Sequence, residues 1–467
     1  MSKFHLMISA AILMAAVTVA AAPPGGLSTD FIRQLQDTEM TGTDKLLADI
    51  VANKNVTEVA LNRDELIAHS KIFNFKIKSG DITNQKSSGR CWMFAGFNIL
   101  RPQVMQKYKL KAFEFSQNYL MFWDKLEKAN CFLQLMIDMA GRPLDDRELD
   151  IVMEDPLGDG GWWTYFADLA EKYGVVPKEV MPETFNSSTS GTMNGLISQK
   201  LKEMGLQLRG MALTGRPPAD IESAKIDMIK QVYRWLVMNL GQPPKEFTWR
   251  YETTDSASIK THPKTLTPQE FYKDIINCDL GEYVAIFDLP HKDRYKAYSL
   301  RFGRDIYERP DFVLVNVPAD TLRAYAAKSV LDSTPVWFAA DIGKENYGAD
   351  GILKRDIYDY AAIYGTTFEM PKGDLIQTRI ITANHAMTFL GVDTLNGQVQ
   401  KWLVENSWGG DHGDKGTWTM YNDWFDRYVF GLVIHKKYLS KELIKLAEME
   451  PVVLPPWDPM SSLNRLE

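Results

Sequence analysis

The apolar residues of this chain keep one period early and another late, and that order limits the fold more than any other feature. Trp92 to about Tyr108, Ser116 to Asn130 and Trp163 to Tyr173 carry them at helical spacing, with Gly174 as a stop signal. Beyond Asp311 the texture changes, and Phe312–Val317, Val336–Ala340, Ala386–Val392, Gln400–Glu405 and Gly416–Met420 read as strands. Helices first and strands later make an α+β arrangement, not a regular βαβ alternation. Between about Asn186 and Arg304 the chain is polar and helical in patches such as Ser223–Asn239. Pro217-Pro218, Pro243-Pro244 and Pro263 punctuate it. Nearer the N-terminus, Leu27 to Ser70 has helical spacing, and Phe73-Phe75-Ile77 alternates like a strand. Lys441 to Met449 forms a last helical stretch, which Pro451 ends.

A chain of 467 residues is long enough for about two to four units with cores of their own. At 45% hydrophobic and 24% charged, it is too apolar to stay disordered. The 53 Lys and Arg stand against 60 Asp and Glu, which excludes a strongly basic nucleic-acid coat. Three cysteines cannot staple a fold of this size, so chemistry is the better reason to look at them.

Residues 1–21 read as a signal peptide. Lys3 and His5 precede an apolar run from Leu6 to about Val19, and Val19-Ala20-Ala21 satisfies the small-x-small rule with a mature start at Ala22. The run is shorter than the roughly 20 residues of a spanning helix, and no later segment approaches that length. An exported protein, periplasmic or secreted and free of the membrane after cleavage near Ala21, is expected. At the other end, Pro451 to Glu467 is extended by prolines yet rich in apolar residues. Such an arm is expected to dock on its own protein.

Gln85-Lys-Ser-Ser-Gly-Arg-Cys91-Trp-Met-Phe-Ala is the most informative stretch. A thiol at a helix start has its thiolate stabilised by free N–H groups and the helix dipole. Gln85 lies on a loop able to return its amide to the cysteine, and that amide with the Cys91 N–H meets the needs of an oxyanion hole. Later, His385 opens an apparent strand and Asn406 ends another. A nucleophilic Cys needs a base, and the base needs a partner that orients its second nitrogen. Cys91, His385 and Asn406 fit those three roles.

Gln-x5-Cys-Trp, His-Ala and Asn-Ser-Trp-Gly, in this order, resemble papain-type cysteine peptidases. Gly158-Asp-Gly-Gly161-Trp followed by Ala-x-x-Tyr-Gly-Val resembles their substrate-binding glycine loop and the helix after it. Ile82-Thr-Asn-Gln-Lys-Ser-Ser-Gly-Arg-Cys-Trp, Pro244-Lys-Glu-Phe-Thr-Trp249, Leu266-Thr-Pro-Gln-Glu-Phe-Tyr272, Val336-Trp-Phe-Ala-Ala-Asp-Ile-Gly343 and Pro455-Pro-Trp-Asp-Pro-Met460 are similar to the bleomycin hydrolase and bacterial aminopeptidase C branch. The resemblance implies a papain-like two-lobed α+β fold with a large helical insertion and a C-terminal arm. Its segments would be an N-terminal helical segment at 22–75, a helical lobe with the nucleophile at 76–185 and an oligomerising insertion at 186–305. A β-rich lobe with His and Asn would follow at 306–440, then a helix and active-site arm at 441–467.

The resemblance also implies roles. Cys91 is nucleophile, His385 base and acid, Asn406 the orienter of the ring, and Gln85 the oxyanion donor. Trp408 shields the Asn–His bond, and Gly160 and Gly161 present backbone to an extended peptide. The arm's carboxylate, Glu467, pairs with the substrate's α-amino group, so that peptides are shortened from their N-terminus. A homohexamer enclosing its sites is implied, and no metal or organic cofactor is. Ser461–Glu467 is longer than the short tail usual after the Pro-Met step, so self-trimming to fit is expected. Two other readings stay open: an endopeptidase, if the longer arm does not seat, and a chambered binding protein without turnover.

The remaining polar residues read more simply. His412 in Asp411-His-Gly-Asp414 fits a turn better than a metal site. Cys131 and Cys278 read as free thiols. The cations of Lys292–Arg304 alternate with acids and make a solvated face, and no nucleic-acid site is marked.

Overall fold

The computed structural model describes residues 25–255 and 258–465, with side chains as far as Ser462. The expected signal peptide and Glu467 lie outside the described residues. The chain divides into two compact units, one of residues up to 61 with 360–366, the other of 62–359 and 367–467. In the first, helices Thr29–Gln36, Gly42–Asn53 and Val56–Val59 are joined by the short helix Tyr360–Tyr364. Ser28 caps the first by accepting from the Phe31 N–H at 3.1 Å, and Tyr360 Oη reaches Thr57 Oγ1 at 3.2 Å.

In the second unit, helix Cys91–Tyr108 is buried on all sides from Cys91 to Pro102, so it runs through the interior and not along a surface. Close packing fixes its place. A Cβ on Gly96 would lie 2.6 Å from the Phe166 ring of helix Trp163–Tyr173, so only glycine admits that ring. On its other side, Thr388 Oγ1 donates to Ala95 O at 3.3 Å and Trp337 Nε1 to Trp92 O at 3.1 Å. The helix is thereby laid across strands His385–Leu395 and Val336–Ala340. Helix Gln117–Asp138, capped by Ser116, packs beside helices Trp163–Tyr173, Gly191–Leu213 and Pro218–Leu240.

The stretch expected to be helical from 186 to 305 is helical to Leu240 and beyond it only in short pieces, Pro268–Glu270 and Phe271–Ile276 among them. Phe247–Glu252 and Ile259–Leu266 then pair as a separate two-stranded sheet. Tyr283–Phe287 and Ala297–Leu300 belong to the large sheet, as does Val429–His435. These last three runs are buried with almost no polar alternation, and so carry no period-2 signal to set them apart from a buried helix. Within 292–304, Lys296 and Arg301 are exposed as expected, whereas Lys292 is mostly buried against Asp458 and strand Ala297–Leu300 is buried throughout.

Among the described residues the large sheet has twelve strands. Its centre is Val336–Ala340, flanked by Val429–His435 on one side and His385–Leu395 on the other, all antiparallel. Gln398–Glu405 and Thr417–Tyr421 continue beyond His385–Leu395. Tyr283–Phe287, Val313–Asn316 and Ala297–Leu300 continue the opposite way, and Val452–Leu454 closes that edge in parallel with Ala297–Leu300. The hairpin His385–Leu395/Gln398–Glu405 turns on Asn396-Gly397, both at positive φ (52° and 77°). That two-residue turn matches the twist of the strands and fixes their register.

Candidate active site

Register brings the histidine and the asparagine together. Thr388 pairs with Glu405, so His385, three residues before one, and Asn406, next after the other, share one end of the hairpin. His385 Nε2 and Asn406 Oδ1 are 2.7 Å apart, and Asn406 Oδ1 also accepts from the Ser407 N–H at 2.7 Å. An oxygen receiving two donors requires the hydrogen on Nε2, which leaves Nδ1 as the basic nitrogen of the neutral ring. The Trp408 ring lies 4.8 Å from the imidazole, centroid to centroid. His385 and Asn406 are 4% and 1% exposed.

Cys91 is the first residue of its helix and is buried. The backbone N–H of Ala386, immediately after His385, is near enough to the Cys91 thiol to favour its thiolate form, and the helix that Cys91 opens packs on the strand that His385 opens. Burial pushes the thiol up to about 12, against the backbone N–H groups of Ala386, Trp92 and Cys91 itself. Burial likewise pushes the imidazole down to about 4, against the Asn406 hydrogen bond. Each group alone therefore stays neutral in this interior. Passing the thiol proton to the ring creates both charges together, and each then offsets the other's desolvation.

Gln85 is tied to both halves of this arrangement. Its N–H donates to Ser407 O at 2.8 Å, its Oε1 accepts from Ser407 Oγ at 2.6 Å, and its Nε2 donates to Ser88 O at 2.6 Å. The bond to Ser88 uses one of the two N–H hydrogens of the amide. Gly409 N–H donates to Thr83 O at 3.0 Å. Gly409 adopts φ 80°, where glycine is favoured, and a Cβ there would lie 2.5 Å from the Asn84 side-chain amide. Arg90, just before the cysteine, is buried and holds Glu183 through two bonds of 3.1 and 2.9 Å.

The glycine loop is fastened to the same helix start. Trp92 Nε1 donates to Asp159 O at 2.7 Å, and Lys128 Nζ to Gly158 O and Gly160 O, both at 2.7 Å. A Cβ on Gly161 would sit 2.6 Å from the Trp92 ring. The protein's own packing thus already requires glycine there, apart from any need to admit a substrate backbone.

A family model described as the Peptidase C1-like family matches residues 26–461. The chain belongs to that family. It is 37% identical to aminopeptidase C of Listeria monocytogenes over 423 residues, covering 90% of this chain and 95% of that one. It is 34% identical to bleomycin hydrolase of Rattus norvegicus over 430 residues, covering 90% and 94%. The crystal structure of PepW from Lactobacillus rhamnosis, 36% identical, superposes with a TM-score of 0.91 over 94% of this chain and 99% of that one. The fold is papain-like and the chain is a cysteine peptidase.

In this peptidase the C-terminal segment packs on its own unit. The Trp457 ring lies under the Arg147 guanidinium at 4.0 Å, Asp458 pairs with Lys292 at 2.7 Å, and Ser462 Oγ donates to Ala383 O at 3.0 Å, two residues before His385. Cys131 and Cys278 are free thiols, and His412 lies in a turn whose carbonyl accepts from Gly416. Among the described residues no cluster of His, Cys, Asp or Glu is placed to hold a metal, and no helix is long and apolar enough to cross a membrane. Sequence reasoning gave no role to Ser407 or Asp159, although both stand inside quoted motifs. Lys125 with Asp159 and the buried Arg101–Glu405 pair carry no sequence signal, because their partners are remote in the chain.

Proposed function

We propose that this chain is a thiol aminopeptidase that hydrolyses N-terminal residues from peptides through a thioester. The carrying observation is the His385–Asn406 hydrogen bond beside a cysteine at a helix start, in a chain so similar to a protein named aminopeptidase C. Nδ1 of His385 takes the Cys91 proton as the sulfur attacks the scissile carbonyl. The developing oxyanion receives a Gln85 amide N–H and the Cys91 backbone N–H. The imidazolium then gives its proton to the leaving amine, and the S-acyl enzyme remains. Water, losing a proton to Nδ1, attacks the thioester, and the thiol is restored with release of the acid. Asn406 and Trp408 keep the ring oriented and dry, and Gly160 and Gly161 present the backbone that an extended substrate meets.

The two lobes of the proposed enzyme are residues 76–185, with Cys91, and 306–440, with His385 and Asn406. The arm from 441 to 467 closes one end of the cleft and offers the carboxylate of Glu467 to the substrate amine. The Ser462–Ala383 contact supports that course. The insertion within 186–305 builds a homohexamer. Exposed Leu196, Leu206 and Leu213 on one of its helices, and Ile226 and Met238 on the next, support an assembled surface. The enzyme acts after export, as the leader-like order of residues 1–22 suggests.

The test is a pair of rates under thiol on an aminoacyl fluorogenic amide and its N-acetylated twin, with Cys91→Ala as background. Cleavage of the free amine alone is expected. Comparable cleavage of both would make the enzyme an endopeptidase, and turnover by Cys91→Ala would overturn the mechanism.

A further inference from the structure

One carboxylate outside the catalytic set holds several parts of the site at once. Asp159, in the middle of Gly158-Asp159-Gly160-Gly161, is 2% exposed. Its Oδ2 accepts from the Gly89 N–H at 2.9 Å, two residues before the nucleophile. Its Oδ1 accepts from Asn194 Nδ2 at 2.7 Å and pairs with Lys125 Nζ at 2.6 Å. Ser190 Oγ donates to Oδ2 as well. Ser190 stands at the N-cap of helix Gly191–Leu213 yet makes no side-chain capping bond. Its hydroxyl is turned to Asp159 instead, a use that forgoes the ordinary cap of such a residue. Lys125, fully buried, also donates to Leu157 O at 2.7 Å and Gly158 O at 2.8 Å. Ser87 N–H donates to Ser188 O at 3.0 Å alongside.

We infer that Asp159 is a positioning residue for peptide hydrolysis: its buried carboxylate locks the loop before Cys91, the glycine strip that meets the substrate and the first turn of the insertion into one rigid piece. The inference rests on the proposed roles of Cys91 and of the glycine strip. Nothing else among the described residues bonds to all three segments through one side chain. Burial would favour the neutral acid, but Lys125 and the converging donors outweigh it and hold the carboxyl well below the usual range. The clamp therefore stays charged across the pH range in which a peptidase works. A displacement of about 1 Å at a nucleophile costs on the order of 100-fold in rate, which sets the expected size of the effect.

The test uses full-length Asp159→Asn and Ser190→Ala, each beside wild type and Cys91→Ala. It reads kcat, KM, the rate of Cys91 alkylation by iodoacetamide, and Tm. Asp159→Asn keeps the shape but cannot satisfy both Lys125 and Gly89 N–H with an oxygen. Its kcat is expected to fall roughly 100-fold, with a smaller rise in KM and slower alkylation at temperatures well below its Tm. Ser190→Ala keeps the ion pair and is expected to lose several-fold in kcat with little change in Tm. A folded Asp159→Asn with wild-type kcat and alkylation rate, whatever its Tm, would reduce the residue to a stabilising ion pair and overturn the inference. If that variant does not fold, Ser190→Ala decides, and wild-type kcat there overturns it equally. Activity surviving in Cys91→Ala would instead mark failure of the underlying mechanism.

Discussion

The loop before Cys91 and the His385–Asn406 hairpin are each anchored by a buried carboxylate paired with a cation from a helix, yet the two carboxylates behave in opposite ways. On the nucleophile side Asp159 meets Lys125, Ser190, Asn194 and the Gly89 N–H, and its carboxyl is held well below the usual range. On the strand side Glu405, next to Asn406, pairs with Arg101 of the Cys91 helix, and burial pushes its carboxyl up despite that arginine. Arg101 also donates to Asp81 O at 2.7 Å, on the approach to Gln85, while its Nε finds no partner. Both groups have lost their water. The number of donors that replace it decides which way each carboxyl is shifted. The nucleophile side is thus held chiefly by bonds to one carboxylate, and the strand side chiefly by sheet register, with the Arg101–Glu405 pair and the His385–Asn406 bond beside it.

The sharpest way to separate the two sides is His385→Ala. It should lower kcat about ten-thousandfold while leaving the Tm near wild type, since register does not depend on that ring. A comparable fall in Tm would show that the strand side also relies on its side chains. Next comes Arg101→Met, which leaves the Glu405 charge buried without a partner and should cost about 3–5 kcal/mol by urea unfolding. The Arg101→Met/Glu405→Met double should regain most of that, and failure to regain it would mean the pair is more than a local balance.

Acid sharpens the contrast further. The unfolded imidazole of His385 takes a proton near 6.5, the folded one only near 4. Between those values the unfolded chain binds one proton more. This contribution to stability is therefore complete above pH 6.5 and shrinks as the pH falls toward 4, by about 3 kcal/mol in all. Unfolding of Cys91→Ala with and without His385→Gln at pH 7 and pH 4 measures it, and equal losses in both chains would refute the assignment. The smallest effect is expected at Arg147→Ala. Removing the cation above Trp457 should loosen the arm by about 1 kcal/mol and modestly narrow the preference for free-amine over acetylated substrates. An unchanged preference would detach the arm's seating from that contact.

Much of the site was legible because its parts are local. Gln85 and Cys91 fall in one loop and helix start, and His385 and Asn406 at the ends of two adjacent strands. Helix Trp163–Tyr173 and strand Val336–Ala340 follow the sequence expectation residue for residue. Asn396-Gly397 would have fixed the hairpin register from sequence alone, and with it the meeting of His385 and Asn406. Other features were hidden for physical reasons. Tyr283–Phe287 and Val429–His435 are buried on both faces, so their pattern carries no alternation. Asp159 and Lys125 look like ordinary surface charges until the fold removes their water. Gly161 was expected to make room for a substrate, and packing against Trp92 supplies a second reason that appears only in the folded chain.

The parallel pairing of Val452–Leu454 with Ala297–Leu300 has a practical consequence for shortened forms of the enzyme. Those three residues cover the outermost rung of the large sheet. A chain cut before Val452 would present the backbone of Ala297–Leu300 as an open edge, ready to recruit a strand from another molecule. Aggregation of such a truncation would report a bared edge and nothing about catalysis. A cut after Met460 keeps the edge covered and the Trp457 and Asp458 anchors in place.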